Sequence, residues 1–204
     1  MLVLHYTGME SAFRALDRLC DPKAKVSAHY LIDEDGMVAP LVDEGMRAWH
    51  AGVAFWRGET DINARSIGIE LVNPGHEFGY RDFPDVQMAA LRDLALKVLD
   101  RHPIPARNVV GHSDVAVGRK TDPGELFDWA GLAQAGIGLW PDRENNDGDP
   151  ARVPVMLADY GYDVTDEAAA IAAFQRHFRP QSLGGPADAL AAACLSALLD
   201  LRNT

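Results

Sequence analysis

The chain has 204 residues, 48% of them hydrophobic and 24% charged, which is ordinary for a globular protein. No apolar run approaches the roughly 20 residues that a membrane-spanning helix needs. The 30 acidic residues exceed the 19 basic ones, giving a net charge of -11, and no Lys or Arg cluster is available to bind nucleic acid.

The first part of the chain alternates between predicted strands and helices. Short apolar runs predict strands at residues 2–6, 66–72 and 108–111, and a hairpin joins residues 28–33 to 37–42 around Asp35-Gly36. Amphipathic spacing predicts helices at residues 11–20 and 84–101. This alternation indicates an α/β domain whose sheet is covered by helices.

The last quarter of the chain has a different composition. Residues 141–150 are polar and rich in Asp, Asn, Gly and Pro, which is typical of a linker. Helical spacing follows at residues 153–160, 165–178 and 187–201, so we expect a three-helix domain over residues 151–204. Cys20 and Cys194 lie in apolar helical contexts and are expected to be buried free thiols.

Two histidines stand at the ends of apolar strands. His5 ends the first strand and His112 follows the strand at residues 108–111, so the two side chains can converge at one edge of the sheet. The loop after His112 is long enough to return Asp122 beside it. Two imidazole nitrogens and a carboxylate oxygen suit Zn²⁺ and leave a fourth position for water. The alternative is that Asp122 only caps the turn before Pro123.

Glu70 and Lys120 are the other candidates for chemistry. Glu70 interrupts an apolar strand, and a buried carboxylate must pair, bind a ligand or act as a base with a raised pKa. The alternative is an edge strand with Glu70 in solvent. Lys120 precedes Asp122 by two residues and could stabilise an oxyanion, although a solvated surface lysine is the commoner outcome.

Five segments, in this order, resemble the zinc-dependent N-acetylmuramoyl-L-alanine amidases of the AmpD/AmiD type. They are LVLHYTG, SAHYLIDEDGMVAPLVDE, AWHAG, FWRGETDINARSIGIELVNPG and VVGHSDVAVGRKTDPG. The resemblance implies a zinc amidase catalytic domain at residues 1–140, with a central mixed β-sheet flanked by helices. It also implies hydrolysis of the amide bond between the lactyl group of N-acetylmuramic acid, including the 1,6-anhydro form, and L-alanine. It places one zinc ion on His5, His112 and Asp122, the catalytic glutamate at Glu70, and the lysine near the oxyanion at Lys120.

The same resemblance implies residues that contact the substrate. His29 of the HY pair, His50 of AWHAG and Asn63 before SIGIE match positions near or along the substrate groove. Trp49 and Trp56 are expected to frame this groove, the alternative being that they are core aromatics.

The C-terminal helices resemble a small peptidoglycan-binding domain. Residues 157–180 and 187–199 are similar to it, so peptidoglycan or muropeptides are the expected partners. A bundle that only supports the catalytic domain is the alternative. Domain content indicates the cell envelope or periplasm, whereas a chain that begins without a signal peptide indicates the cytoplasm if this start is authentic. A non-catalytic peptidoglycan recognition protein is the alternative function, and the oligomeric state stays open.

Overall fold

A computed structural model describes residues 1–141 and 148–201, so most of the predicted linker at residues 141–150 lies outside the described residues. Its sheet contains five strands: β1 (Leu2–Tyr6), β2 (Tyr30–Ile32), β3 (Val38–Pro40), β4 (Ile67–Leu71) and β5 (Val109–Gly111). The helices of the described residues are α1 (Ala12–Cys20), α2 (Gly75–Phe78), α3 (Asp85–Arg101), α4 (His112–Val115), α5 (Trp129–Gln134), α6 (Val153–Tyr160), α7 (Glu167–Phe178) and α8 (Ala189–Leu201).

The strand order is β3-β2-β4-β1-β5. Strand β1 lies between β4 and β5 and is parallel to both, and β2 is parallel to β4. Strand β3 is antiparallel to β2 and forms the predicted hairpin with it. The mixed sheet flanked by helices is therefore confirmed.

Strand β1 is buried on both sides, and its residues alternate between two cores. Leu2 and Leu4 belong to the core that includes Leu91 and Val98 of α3. Val3 belongs to a second core on the opposite face of the sheet. Because His5 has the same parity as Val3, its side chain emerges on this second face.

The C-terminal helices cover that second face. Phe174 of α7 and Leu195 of α8 share one apolar cluster with Val3 and with Val110 of β5. The structure therefore has helices close to the predicted ranges 153–160, 165–178 and 187–201. Their apolar residues are continuous with the core of the sheet. The division into two domains and a peptidoglycan-binding role for residues 151–204 stay predictions.

Neither Cys20 nor Cys194 forms a disulfide, and only Cys194 is buried. Cys20 is exposed, contrary to expectation, because it ends α1, whose buried positions are Ala15 and Leu19. Within the described residues, no helix has the length and apolar character needed to cross a membrane.

Candidate functional site

Three predicted metal ligands come from neighbouring parts of the sheet. His5 lies in β1, and His112 is the first residue of α4, directly after β5. These strands are adjacent and parallel, with Leu4 opposite Gly111, so both histidines emerge at the same end of the sheet. The following loop folds back as predicted, and the backbone N–H of Ser113 donates to the carbonyl of Asp122 at 2.9 Å.

The three side chains present their donor atoms to one point. His5 Nδ1, His112 Nδ1 and Asp122 Oδ2 lie 3.0 Å from one another in every pair. All three residues are buried, and together they form a candidate metal-binding group. Zinc bonds of about 2.0–2.1 Å at tetrahedral angles would separate ligand atoms by about 3.3 Å, close to this spacing.

The protonation of these groups also suits a cation. Burial, reinforced by the His112 charge, lowers the pKa of His5 to about 4, so its ring is neutral at pH 7. Burial acts to raise the pKa of Asp122, but His112 and His5 outweigh it and hold this pKa below the ordinary value. A neutral imidazole and an ionised carboxylate are the states in which these residues ligate metals.

Glu70 lies beside His5. The two residues are paired in the register of β4 and β1, which is a central position in the sheet rather than an edge. Glu70 is buried, and its Oε2 atom has no hydrogen-bond partner among residues 1–141 and 148–201. Burial raises the pKa of Glu70 well above its ordinary value, the charge of Asp122 adds to this effect, and Lys120 opposes it. The carboxyl group therefore has the character expected of a general base or acid at neutral pH.

Lys120 lies on the exposed wall of the same cleft. The cleft has a volume of about 750 Å³ and is lined by Glu70, His112, Lys120 and Asp122 among others. The charge of Lys120 acts to lower the pKa values of both His5 and Glu70. This position allows its ammonium group to face a carbonyl oxygen bound in the cleft.

Several cleft residues were not identified from the sequence. Tyr6 lines the cleft, and its hydroxyl oxygen lies 2.8 Å from His76 Nδ1 and 3.1 Å from Thr121 Oγ1. The His76 ring stacks on Tyr80 with centroids 4.3 Å apart. Tyr6 and Thr121 could have been inferred from their places in the sequence, because Tyr6 follows His5 and Thr121 precedes Asp122. His76 comes from a separate element, and no local pattern indicates its place.

The four predicted substrate-contact residues occupy different environments. His50 is buried behind His5 and lines the cleft, whereas Trp49 is half exposed. His29 is fully buried, and its two ring nitrogens contact the backbone of Gly68 and Met46. The Asn63 side-chain oxygen accepts hydrogen bonds from the backbone N–H groups of residues 50 and 51. Contact of these four residues with substrate stays a prediction.

The environment of Trp56 is that of a core aromatic, which was the alternative to a place in the substrate groove. It is buried in the core beneath the C-terminal helices, against Tyr160 and Tyr162. Its indole N–H donates to the side-chain oxygen of Asn108 at 3.3 Å. Trp56 is therefore a core aromatic rather than a wall of the groove.

Known proteins match this chain in both sequence and structure. The model of the N-acetylmuramoyl-L-alanine amidase family (Amidase_2) matches residues 1–125. The sequence is 39% identical to N-acetylmuramoyl-L-alanine amidase AmiD of Escherichia coli, over 98% of this chain and 82% of that protein.

Two solved structures are similar over nearly the whole chain. AmiD from E. coli in complex with the substrate anhydro-N-acetylmuramic acid-L-Ala-D-gamma-Glu-L-Lys superposes with a TM-score of 0.90, covering 98% of this chain and 88% of that chain. AmpDh3 from Pseudomonas aeruginosa in complex with anhydromuramic pentapeptide is 36% identical, with a TM-score of 0.89, covering 98% of this chain and 91% of that chain. The similarity therefore includes the C-terminal helices as well as the sheet.

Proposed function

Because the chain belongs to the N-acetylmuramoyl-L-alanine amidase family, we propose that it holds one zinc ion on His5, His112 and Asp122 for its reaction. The protein is a hydrolase of the amide bond between N-acetylmuramic acid and L-alanine. The observation that carries the zinc proposal is the buried triangle of two imidazole nitrogens and one carboxylate oxygen, each 3.0 Å from the others.

The donor set fits zinc better than the common hard cations. Mg²⁺ and Ca²⁺ prefer shells of oxygen atoms, whereas two imidazoles with one carboxylate are typical of catalytic zinc sites that keep an open position. When bound, zinc would supply a Lewis acid beside the scissile carbonyl and would lower the pKa of water.

Glu70 is the general base and acid of the proposed mechanism. Its Oε2 atom, without a partner among the described residues, is available to take a proton from the attacking water. The raised pKa of Glu70 makes the protonated carboxyl persist long enough to act as an acid. Glu70 then donates this proton to the alanine nitrogen as the carbon–nitrogen bond breaks, so the carboxylate is restored.

Lys120 stabilises the negative charge that develops on the carbonyl oxygen. Its ammonium group lies at the cleft wall, close enough to Glu70 for its charge to affect the pKa of that residue. A cation in this place lowers the energy of the tetrahedral state more than that of the bound amide.

We also propose that 1,6-anhydro-muropeptides are substrates, because the AmiD and AmpDh3 structures contain anhydromuramyl peptides. Whether intact peptidoglycan is cleaved too is tested by incubating the enzyme with anhydro-muropeptides and with insoluble wall in parallel. Release of free stem peptide, measured by mass spectrometry, identifies each substrate.

The decisive experiment compares metal content with the rate of peptide release. We expect the wild type to contain one zinc ion, to lose activity to a chelator and to recover it when zinc is restored. Glu70→Gln should keep the zinc and lose about 10²- to 10⁴-fold in kcat. Glu77→Gln is the matched control, since Glu77 lines the same cleft but is exposed on α2. A wild type that binds no zinc, or an undiminished rate in Glu70→Gln, would refute the proposal.

A further inference from the structure

The two ligand histidines make their other hydrogen bonds to a single dipeptide. His5 Nε2 lies 3.0 Å from His50 Nδ1, and His112 Nε2 lies 3.0 Å from the carbonyl oxygen of Ala51. Arg119 also donates to this carbonyl. Consecutive residues 50 and 51 therefore contact both imidazoles on the side away from the metal position.

The positions of the hydrogen atoms in these bonds can be inferred from Ser66, which contacts the other nitrogen of the His50 ring. The Ser66 hydroxyl donates its single hydrogen to the carbonyl of Ile62 at 2.6 Å. Ser66 Oγ also lies 3.2 Å from His50 Nε2, so towards that nitrogen it acts as the acceptor. The hydrogen of a neutral His50 ring is then on Nε2, and its Nδ1 carries a lone pair. The ring is buried, and its two nitrogens contact His5 and Ser66, neither of which carries a negative charge, so this site favours the neutral ring.

The same reasoning extends to the metal ligands. Because His50 Nδ1 is an acceptor, His5 Nε2 donates to it, and the lone pair of His5 is on Nδ1. His112 Nε2 lies 3.0 Å from the carbonyl oxygen of Ala51, which can only accept, and 3.4 Å from a guanidinium nitrogen of Arg119, which can only donate. The carbonyl is the closer partner, so we assign the hydrogen of His112 to Nε2 and its lone pair to Nδ1. With Asp122 Oδ2, three acceptor atoms face one another at 3.0 Å with no hydrogen between them. Such a group is suited to bind a cation.

The surrounding structure keeps His50 in this position. The Asn63 side-chain oxygen accepts from the backbone N–H of His50 at 3.0 Å and from that of Ala51 at 2.8 Å. Gly68 of β4 makes room for the ring, since a Cβ atom there would lie 2.5 Å from His50 Cγ. These contacts hold the loop of His50 in place and let its ring pack directly against the backbone of β4.

We propose that His50, oriented by Ser66, is a positioning residue that fixes the tautomer of His5 so that Nδ1 is ready to bind the metal. This inference rests on the zinc site proposed above and gives His50 a role that needs no contact with substrate. Partners of this kind typically contribute about 10- to 100-fold to metal affinity.

The test depends on a competition within the metal-free protein. His5 Nδ1 also lies 3.0 Å from Asp122 Oδ2, which would accept a hydrogen from the opposite tautomer. Long-range ¹H–¹⁵N spectra of the metal-free wild type should show the Nε2–H form of His5. In His50→Phe, which cannot accept this hydrogen, His5 should change to the Nδ1–H form bound to Asp122. Finding the Nδ1–H form in the wild type would overturn the inference.

Zinc affinity, measured by competition with a chelator, is the second readout. We expect His50→Phe to weaken zinc binding about 10- to 100-fold, and Ser66→Ala to weaken it about fivefold, the value of one hydrogen bond. His50→Asn places an amide oxygen near the position of Nδ1 and should retain more affinity than His50→Phe. In the His50→Asn background, Ser66→Ala should have no further effect, because the ring that Ser66 orients is gone.

Ser27→Ala is the matched control for Ser66→Ala. Ser27 is likewise partly buried and accepts from the backbone N–H of Trp49 at 2.9 Å, but it contacts no ligand ring. It should leave both the His5 tautomer and the zinc affinity unchanged. If the wild type binds zinc and His50→Phe and Ser66→Ala bind it equally well, the inference is wrong while the zinc proposal stands. If the wild type binds no zinc, the zinc proposal itself fails.

Discussion

Asp114→Asn should destabilise the protein because one buried carboxylate joins the sheet to the C-terminal helices. Asp114 lies in α4, two residues after the metal ligand His112, and is fully buried. Its Oδ2 atom accepts from the backbone N–H of Gly111 and from His177 Nδ1, both at 2.7 Å. Its Oδ1 atom accepts from the hydroxyl of Tyr162, also at 2.7 Å.

The expected loss can be estimated from these three bonds. Asparagine has nearly the same shape, so packing is kept. Its amide oxygen can accept from Gly111 and His177 only as a neutral group, and its NH2 group would face the Tyr162 hydroxyl, from which it cannot accept. A hydrogen bond to a charged group contributes about 1.5–3 kcal/mol and a neutral one about 0.5–1.5, a difference of about 1 kcal/mol per bond. Three bonds therefore give about 3 kcal/mol. At a urea dependence of about 2 kcal/mol per molar, the unfolding midpoint should fall by about 1.5 M.

Urea unfolding, followed by tryptophan fluorescence and circular dichroism, measures this change. Asp166→Asn is the control, because Asp166 is exposed and caps α7 by accepting from Ala169, a role that asparagine performs equally well. Tyr162→Phe removes one of the three donors and should have a smaller effect, about 2 kcal/mol. If the midpoint of Asp114→Asn stayed within about 0.3 M of the wild type, Asp114 would not join these elements energetically.

Three further changes test other parts of the structure. Arg101 lowers the pKa of Glu44 to about 2. Glu44 therefore stabilises the fold above its unfolded pKa of about 4.5, and this stabilisation is lost as the pH falls towards 2. The difference in unfolding free energy between wild type and Glu44→Gln should shrink over this range. Phe174→Ala should cost about 3–5 kcal/mol in urea unfolding, because this ring is fully buried beneath the sheet. Gly68→Ala should cost about 1–3 kcal/mol and weaken zinc binding, because the new methyl group would displace His50.

Long periodic elements could be predicted from the sequence, and short ones could not. Strands β1 and β4 and helices α1 and α3 carry patterns of five residues or more and lie where the spacing places them. Helices α2 and α4 have four residues each, which is about one turn and too short for an apolar period. Helix α7 begins at Glu167 rather than at residue 165 because Asp166, and not Thr165, caps it.

The site divides in a similar way into local and non-local parts. The return of Asp122 to His112 spans ten residues, and a loop of that length can be inferred from composition. The pairing of Glu70 with His5 cannot, because it depends on the register of two parallel strands 65 positions apart. The contact of His50 with His5 is equally non-local. A resemblance to a family indicates which residue types occupy such positions. Only the structure shows which group contacts the second nitrogen of each imidazole ring.

The alternation of β1 explains why the metal site and the C-terminal helices depend on the same face of the sheet. Val3 is buried in the core beneath those helices, and His5, two residues later on the same face, carries a metal donor. Helix α4 repeats this arrangement, since its first residue is His112 and its last, Val115, packs in the same core. Removing residues 151–204 would expose the apolar core that contains Val3 and Val115, next to both histidines. Loss of activity in such a truncation would therefore not by itself demonstrate loss of wall binding. Exposed substitutions on α6 to α8 that leave the unfolding midpoint unchanged are needed to separate the two roles.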